Sequence, residues 1–354
     1  MRDPFPIPII PALSRAIEPL AEKLSFATLP LHVHEVTAGA LLYTFVQLVV
    51  SPWISMKLWP QYYPLHDRGK RVSWDAHVVS MVQSCLINVL AVWIMFADEE
   101  RWNMDWEQRV WGYTGAHGMI QGLAAGYFVW DLIVTVIHLD VFGLGLLAHA
   151  SSALVVYSFG FRPFLNYYAT TFILYELSTP FLNVHWFFDK LGMTGTRAQL
   201  YNGICLITVF FTCRLVWGNY QSVMVYRDMW QAMNSGPAVS LASQATNNAS
   251  VTYGGDDIMM FAQDAGPIPM WLAALYMASN LTLNMLNVYW FFKMIKAVQK
   301  RFEPAKDAPK AKEKVAAGTP KGIATGLQQK VEELRKRPLP DSVPAIEDDL
   351  AEMQ

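Results

Sequence analysis

Charge is scarce in this sequence: Asp, Glu, Lys and Arg supply 16% of its 354 residues, against about 25% in an ordinary soluble domain. What little there is nearly cancels, 27 Lys and Arg facing 29 Asp and Glu. No block is basic enough to draw a nucleic acid, so that partner class is excluded. Cysteine is rarer still, and Cys85, Cys205 and Cys213 all fall inside apolar runs, where they read as small hydrophobes rather than a disulfide framework. HExxH, GxSxG, the phosphate-binding loop and the dinucleotide fingerprint are all missing. His32, His34, His66, His77 and His117 show no metal-ligand pairing within the spans, so no metal and no cofactor is expected.

What is abundant is apolar surface: 53% of residues are hydrophobic and the mean hydropathy is +0.22. Crossing about 30 Å of hydrocarbon takes roughly 20 helical residues. Seven runs qualify, at approximately 36–56, 77–97, 117–138, 141–159, 165–188, 200–222 and 268–292. Backbone polar groups find no water in lipid, so these runs must be helices if they span. The expected fold is therefore an all-α polytopic transmembrane bundle of about seven spans. The fourth run is short and glycine-rich and follows the third after a tight turn at Leu139 and Asp140, so two spans or one reentrant hairpin both fit.

Lys and Arg gather on the cytosolic side of short loops. Loop 57–76 carries Lys57, Arg68, Lys70 and Arg71, the next loop reads "DEERWNMDWEQR", Lys190 and Arg197 follow the fifth run, and "KMIKAVQKR" ends the seventh. This alternation puts the N-terminus on the lumenal side and the C-terminus in the cytosol, with Arg162 and Arg227 as mild exceptions. Residues 1–35 form an N-terminal lumenal segment in which Leu13, Ile17, Leu20 and Leu24 make the apolar stripe of an interfacial helix interrupted by Pro19. The transmembrane region runs over 36–302 and includes a polar lumenal insert at 230–266, with a glycosylation sequon at Asn248. Residues 303–354 have the composition of a solvated tail, and "GLQQKVEELRKR" within it suits a transient helix.

An ionisable group at the bilayer centre costs about 2.5–3.5 kcal/mol on insertion scales, so such groups face protein or a wet cavity. Asp131, Thr135 and His138 share one face of the third span. His149 lies midway along the fourth, with Ser152 beyond it. Glu176, Thr179 and Asn183 stripe the fifth, where Pro180 should kink the helix and free a carbonyl. Arg214 occupies the sixth, and Asn280, Asn284 and Asn287 recur along the seventh. Each has a plainer reading as well. Glu176 and Arg214 can simply pair, and the asparagines can serve as interhelical glue. His149 sits among small neighbours that leave room beside its ring, which favours a functional role.

In order along the chain, "RVSWDAHVVSMVQ", "GYFVWDL", the histidine-bearing span, "ELSTPFLNVHWFFDK", "FFTCRLVWG" and "LNVYWFFKMI" resemble the TLC-domain family over about residues 70–300, and "ELSTPFLN" most resembles its TLC domain-containing protein 4 branch. The resemblance implies a bundle around a central lipid-accessible cavity, usually in the endoplasmic reticulum, and a kinship with ceramide synthases, which join an acyl chain from acyl-CoA to a sphingoid amine. It matches Asp131 and Arg214 to family positions. Ceramide synthases have adjacent histidines where this chain reads Ala148 and His149, and a pair of aspartates where it offers only Glu176.

Two functions follow. One is a non-enzymatic protein that binds or senses acyl lipids and influences membrane lipid composition, with Arg214, Asn183, Asn280, Asn284, Asn287 and Ser152 holding a head group. The other is an acyl-CoA-dependent acyltransferase in which His149 is nucleophile or base and Glu176 or Asp131 orients its ring. The expected partners in either case are membrane lipids.

Overall fold

The computed structural model describes residues 1–237, 258–262 and 265–302. Asn248, most of the predicted 230–266 insert and the 303–354 tail lie outside the described residues. Among those described, regular structure is helical without a strand. After α1 (Pro11–Leu24) come α2 (Leu29–Leu58), α3 (Arg68–Ala97), α4 (Gly115–Ile137) and α5 (Leu139–Phe159). The fifth predicted run is divided into α6 (Asn166–Phe172), a 3-10 stretch (Ile173–Ser178) and α7 (Thr179–Lys190). The order closes with α8 (Arg197–Asn234) and α9 (Met270–Phe302).

Every predicted apolar run is helical. Among the described residues, five helical stretches are long and apolar enough to cross a membrane: Leu29–Leu58, Arg68–Ala97, Trp106–Ile137, Leu139–Phe159 and Arg197–Asn234. The fifth predicted run is divided by its 3-10 turn, and in α9 the asparagines at 280, 284 and 287 depress the hydropathy.

Two expectations about the N-terminal region are corrected. The α2 helix starts at Leu29 rather than 36, because Pro30 sits in its first turn, where a missing N–H costs nothing, and "HVHE" is buried by packing instead of ending the helix. In addition, α1 runs unbroken through Pro19. Arg15, whose carbonyl loses its partner to that proline, is exposed, so water can satisfy it.

The tightest packing joins α2 to α4. Gly118, Gly122 and Gly126 recur every fourth residue along α4, and a methyl on any of them would overlap the His32 ring, the Glu35 carboxylate or the Val36 carbonyl of α2. Such spacing of small residues lets two helices approach backbone to backbone.

Loops meet at two opposite ends. At one end Thr28 bonds Phe161 through both its amide and its hydroxyl, Leu165 N donates 2.8 Å to the Val110 carbonyl, and Arg109 clamps Asp228 at 2.7 and 3.0 Å. At the other end Arg68 Nη2 donates 3.1 Å to His138 Nδ1, and Trp74 packs edge-on against Trp186 and Phe187. Successive connections between the described helices therefore alternate between these two ends. Only His138 separates α4 from α5, and Gly143, at φ 75°, breaks α5 after its first turn.

Candidate functional site

The site is built around a helix that cannot complete its own hydrogen bonds. Pro180 has no N–H to offer the carbonyl four residues back, which belongs to Glu176. The break that the proline predicts is realised as the 3-10 stretch just before it, and side chains from two other helices occupy the carbonyls there. Asn88 of α3 donates through Nδ2 to the Glu176 carbonyl at 2.8 Å. Arg214 of α8 donates through Nε to the Tyr175 carbonyl at 2.9 Å and to Ser178 Oγ at 3.0 Å.

Arg214 reaches this point from a π-helical stretch, Phe211–Trp217, a widened turn frequent at functional sites. Its Nη1 donates to Asn287 Oδ1 at 3.0 Å and its Nη2 to Thr179 Oγ1 at 3.1 Å. The Glu176 carboxylate lies 3.7 Å from Nη2, an ion pair within the bundle. The plainer reading of this pair, as a lock between helices, is thus realised.

A cavity of about 40 Å³ opens beside the lock, walled by His149, Tyr157, Tyr175, Glu176, Arg214 and Asn287 among others. On this measure a water needs about 10–15 Å³, so the space admits a few waters or a small polar fragment, but not a whole lipid. His149, Glu176 and Arg214, drawn from three separate helices, do converge. The His149 ring leans on Trp290 with centroids 5.5 Å apart, and its buried Nδ1 has no hydrogen-bond partner. His149 and Glu176 face the same cavity without a hydrogen bond between them.

Other predicted residues are placed elsewhere. Asp131 lines a separate cavity of about 10 Å³ with Ser80, Tyr127 and Thr135. Asn183 turns to α3, its Oδ1 accepting from His77 Nδ1 (2.8 Å) and its Nδ2 donating to Ser80 Oγ at 3.1 Å, while His77 stacks on Trp186 at 3.9 Å. Asn280 lines the cavity with His149, yet its Oδ1 already accepts from Tyr226 at 2.7 Å. Asn284 bridges Tyr175 and Ser222. Both asparagines act as glue between α8, α9 and the 3-10 turn. Ser152 is half-buried and does not line the cavity. None of these residues lines a groove of about 660 Å³ bordered by Glu18, Trp111, Arg162 and Phe164.

One constellation escapes the sequence reading. Asp3, His34 and Glu35 gather at the start of α2, with His32 bonded to Glu35 Oε2 at 2.7 Å and to the Tyr113 hydroxyl at 2.6 Å. Spacing could not reveal it, since Asp3 and Tyr113 arrive from distant parts of the chain. The glycines of α4 that admit His32 and Glu35 were the available signal.

The chain is similar in sequence to known proteins. The TLC domain model matches residues 73–296. An uncharacterized TLC domain-containing protein of Schizosaccharomyces pombe is 35% identical, covering 82% of this chain and 87% of its own. Topoisomerase I damage affected protein 4 of Saccharomyces cerevisiae is 28% identical over 80% of this chain and 92% of its own. TLC domain-containing protein 4 of Xenopus tropicalis is 26% identical over 75% and 90%. The matched span takes in Asn88, His149, Glu176, Arg214 and Asn287, and on that match the chain belongs to the TLC domain family, membrane proteins tied to lipid metabolism.

Proposed function

We propose that this protein binds or senses the polar end of an acyl lipid in the His149–Arg214 cavity, without transferring the acyl chain, and so influences membrane lipid composition. The observation that carries this reading is a cavity wall whose charges are already paired while His149 Nδ1 stays unpartnered. A neutral hydroxyl, amide or ester head group complements such a wall, since Arg214 and Glu176 offset each other. Catalysis by an imidazole asks for a positioned partner, and the acid sharing the cavity is held by arginine. The acyltransferase reading keeps one observation in its favour, that His149 and Glu176 share the cavity.

Purified protein in nanodiscs, offered a diazirine-bearing acyl lipid, tests the two readings together. We expect crosslinks on the cavity wall that weaken in His149→Ala, and no labelled product from acyl-CoA. Turnover of acyl-CoA that disappears in His149→Ala would overturn the proposal in favour of the enzyme. We further place the protein in the endoplasmic reticulum with a lumenal N-terminus, a reading supported by the alternation of Lys and Arg. Endoglycosidase-sensitive sugar on Asn248, lost in Asn248→Gln, is the expected result. Protease cleavage of the 230–266 insert from the cytosolic side of intact microsomes would refute this topology.

A further inference from the structure

The "HVHE" sequence of α2 is unusual in being almost wholly removed from solvent: His32 is 1%, His34 3% and Glu35 0% exposed. The glycines at 118 and 122 make this possible, because only their missing side chains leave room for the His32 ring and the Glu35 carboxylate. Buried polar groups are costly unless every one is matched, so their partners can be counted atom by atom.

His32 is satisfied on both sides. With its proton on Nδ1 it donates to Glu35 Oε2, and Nε2 then accepts from the Tyr113 hydroxyl. This neutral tautomer uses both ring nitrogens and fixes the plane of the Glu35 carboxylate. Two atoms are left over. Glu35 Oε1 and His34 Nδ1 are buried and have no hydrogen-bond partner. The Asp3 carboxylate closes the third side, steadied by the Phe5 amide, which donates to its Oδ1 at 2.8 Å, while Phe5 packs edge-on against the His34 ring. One ligand atom from each of Asp3, His34 and Glu35 lies within 4.8 Å of the others.

Two carboxylates and an imidazole converge here, and Glu35 Oε1 and His34 Nδ1 find no partner within the protein. We propose that Asp3, His34 and Glu35 bind a divalent transition-metal ion of the zinc class at the N-terminal end of the α2–α4 pair. A mixed nitrogen and oxygen set of three ligands suits such an ion, whereas calcium takes six to eight oxygens and magnesium a near-octahedral oxygen shell. Bonds of about 2.0–2.2 Å require the donors to draw closer than their present spacing. Asp3, the exposed member, is free to make that adjustment and also marks the entry path. The fourth position is open to water. His32, bonded to Glu35 and held in turn by Tyr113, is the positioning residue of the site, of the outer-shell kind that orients a ligating carboxylate. None of these residues lines the His149 cavity, so this proposal stands apart from the lipid reading.

The test is metal content and affinity of full-length protein in detergent, carrying a C-terminal tag without histidine, stripped with chelator and dialysed against micromolar Zn²⁺. One zinc per chain is expected. Asp3→Asn is the deciding variant, because it alters an exposed residue and leaves the buried groups intact; its zinc affinity should fall at least about 10-fold. His34→Ala should hold no stoichiometric zinc, and Tyr113→Phe should weaken binding by a factor of about 10 or more through the outer shell. Wild-type protein that elutes as a sharp folded peak without zinc overturns the proposal. So does Asp3→Asn with unchanged affinity, or displacement of Zn²⁺ by an equal concentration of Ca²⁺ or Mg²⁺.

Discussion

Replacing Arg214 by methionine removes the lock that holds α8, α9 and the broken fifth segment together. The guanidinium donates to the Tyr175 carbonyl, Ser178 Oγ, Asn287 Oδ1 and Thr179 Oγ1, four acceptors in all. Side-chain hydrogen bonds between membrane helices average about 0.6 kcal/mol each, which gives a loss of about 2.4 kcal/mol before the Glu176 carboxylate is considered. That carboxylate then stays in the bundle without its cation, and breaking a buried pair costs about 3–5 kcal/mol. The two contributions overlap, because the pair figure already includes hydrogen bonds lost by the removed partner. A loss of about 3–5 kcal/mol is therefore expected, measured as the shift in free energy of reversible SDS unfolding followed by tryptophan fluorescence. Combining Arg214→Met with Glu176→Gln removes the orphaned charge and should recover about 1 kcal/mol. The reasoning fails if Arg214→Met costs less than about 0.5 kcal/mol, the scale of an ordinary surface substitution, or if the double variant is no more stable than the single one.

Gly122→Val drives a branched side chain into the Glu35 carboxylate and should cost about 1–3 kcal/mol by overpacking, whereas Gly145→Val, where a side chain would meet nothing within 4 Å, should cost little; equal losses would refute the close-approach argument. Asn183→Leu strands His77 Nδ1 and should cost about 1–3 kcal/mol, visible also as altered emission from the stacked Trp186; an unchanged spectrum and stability would count against the network. Burial, and then the Arg68 guanidinium, hold the His138 pKa below its ordinary value. A folded value below the unfolded one means that the neutral ring stabilises the fold above about pH 6.5, and that this contribution is lost as pH falls below the unfolded value. NMR should show a midpoint under about 6.5 that rises in Arg68→Gln, and a midpoint above 6.5 in the wild type would refute this account.

Helix positions were legible because lipid allows a 20-residue apolar run one conformation. Their ends were less so. Hydropathy stops counting at His34 and Glu35, yet α2 runs past both, since burial against glycines is a property of the partner helix and not of the run itself. Pro180 announced a freed carbonyl, and the structure supplies Asn88 to meet it, a residue that nothing in its own segment singled out. The convergence of His149, Glu176 and Arg214 was readable from helix faces. Which way Asp131 and Asn183 turned was not, because both neighbours of a central helix can use one polar stripe.

The reversal at His138 governs how α4 and α5 can respond to the bilayer. One residue advances the chain by about 3.8 Å, so neither helix can sink or rise past the other by more than that order. Thinning of the lipid sheet must then be met by tilting the hairpin as one body, pivoting near Arg68, which grips its tip. Gly143 is the sole left-handed joint in that hairpin, and it falls on the α5 side, so whatever slack exists belongs to the helix that carries His149.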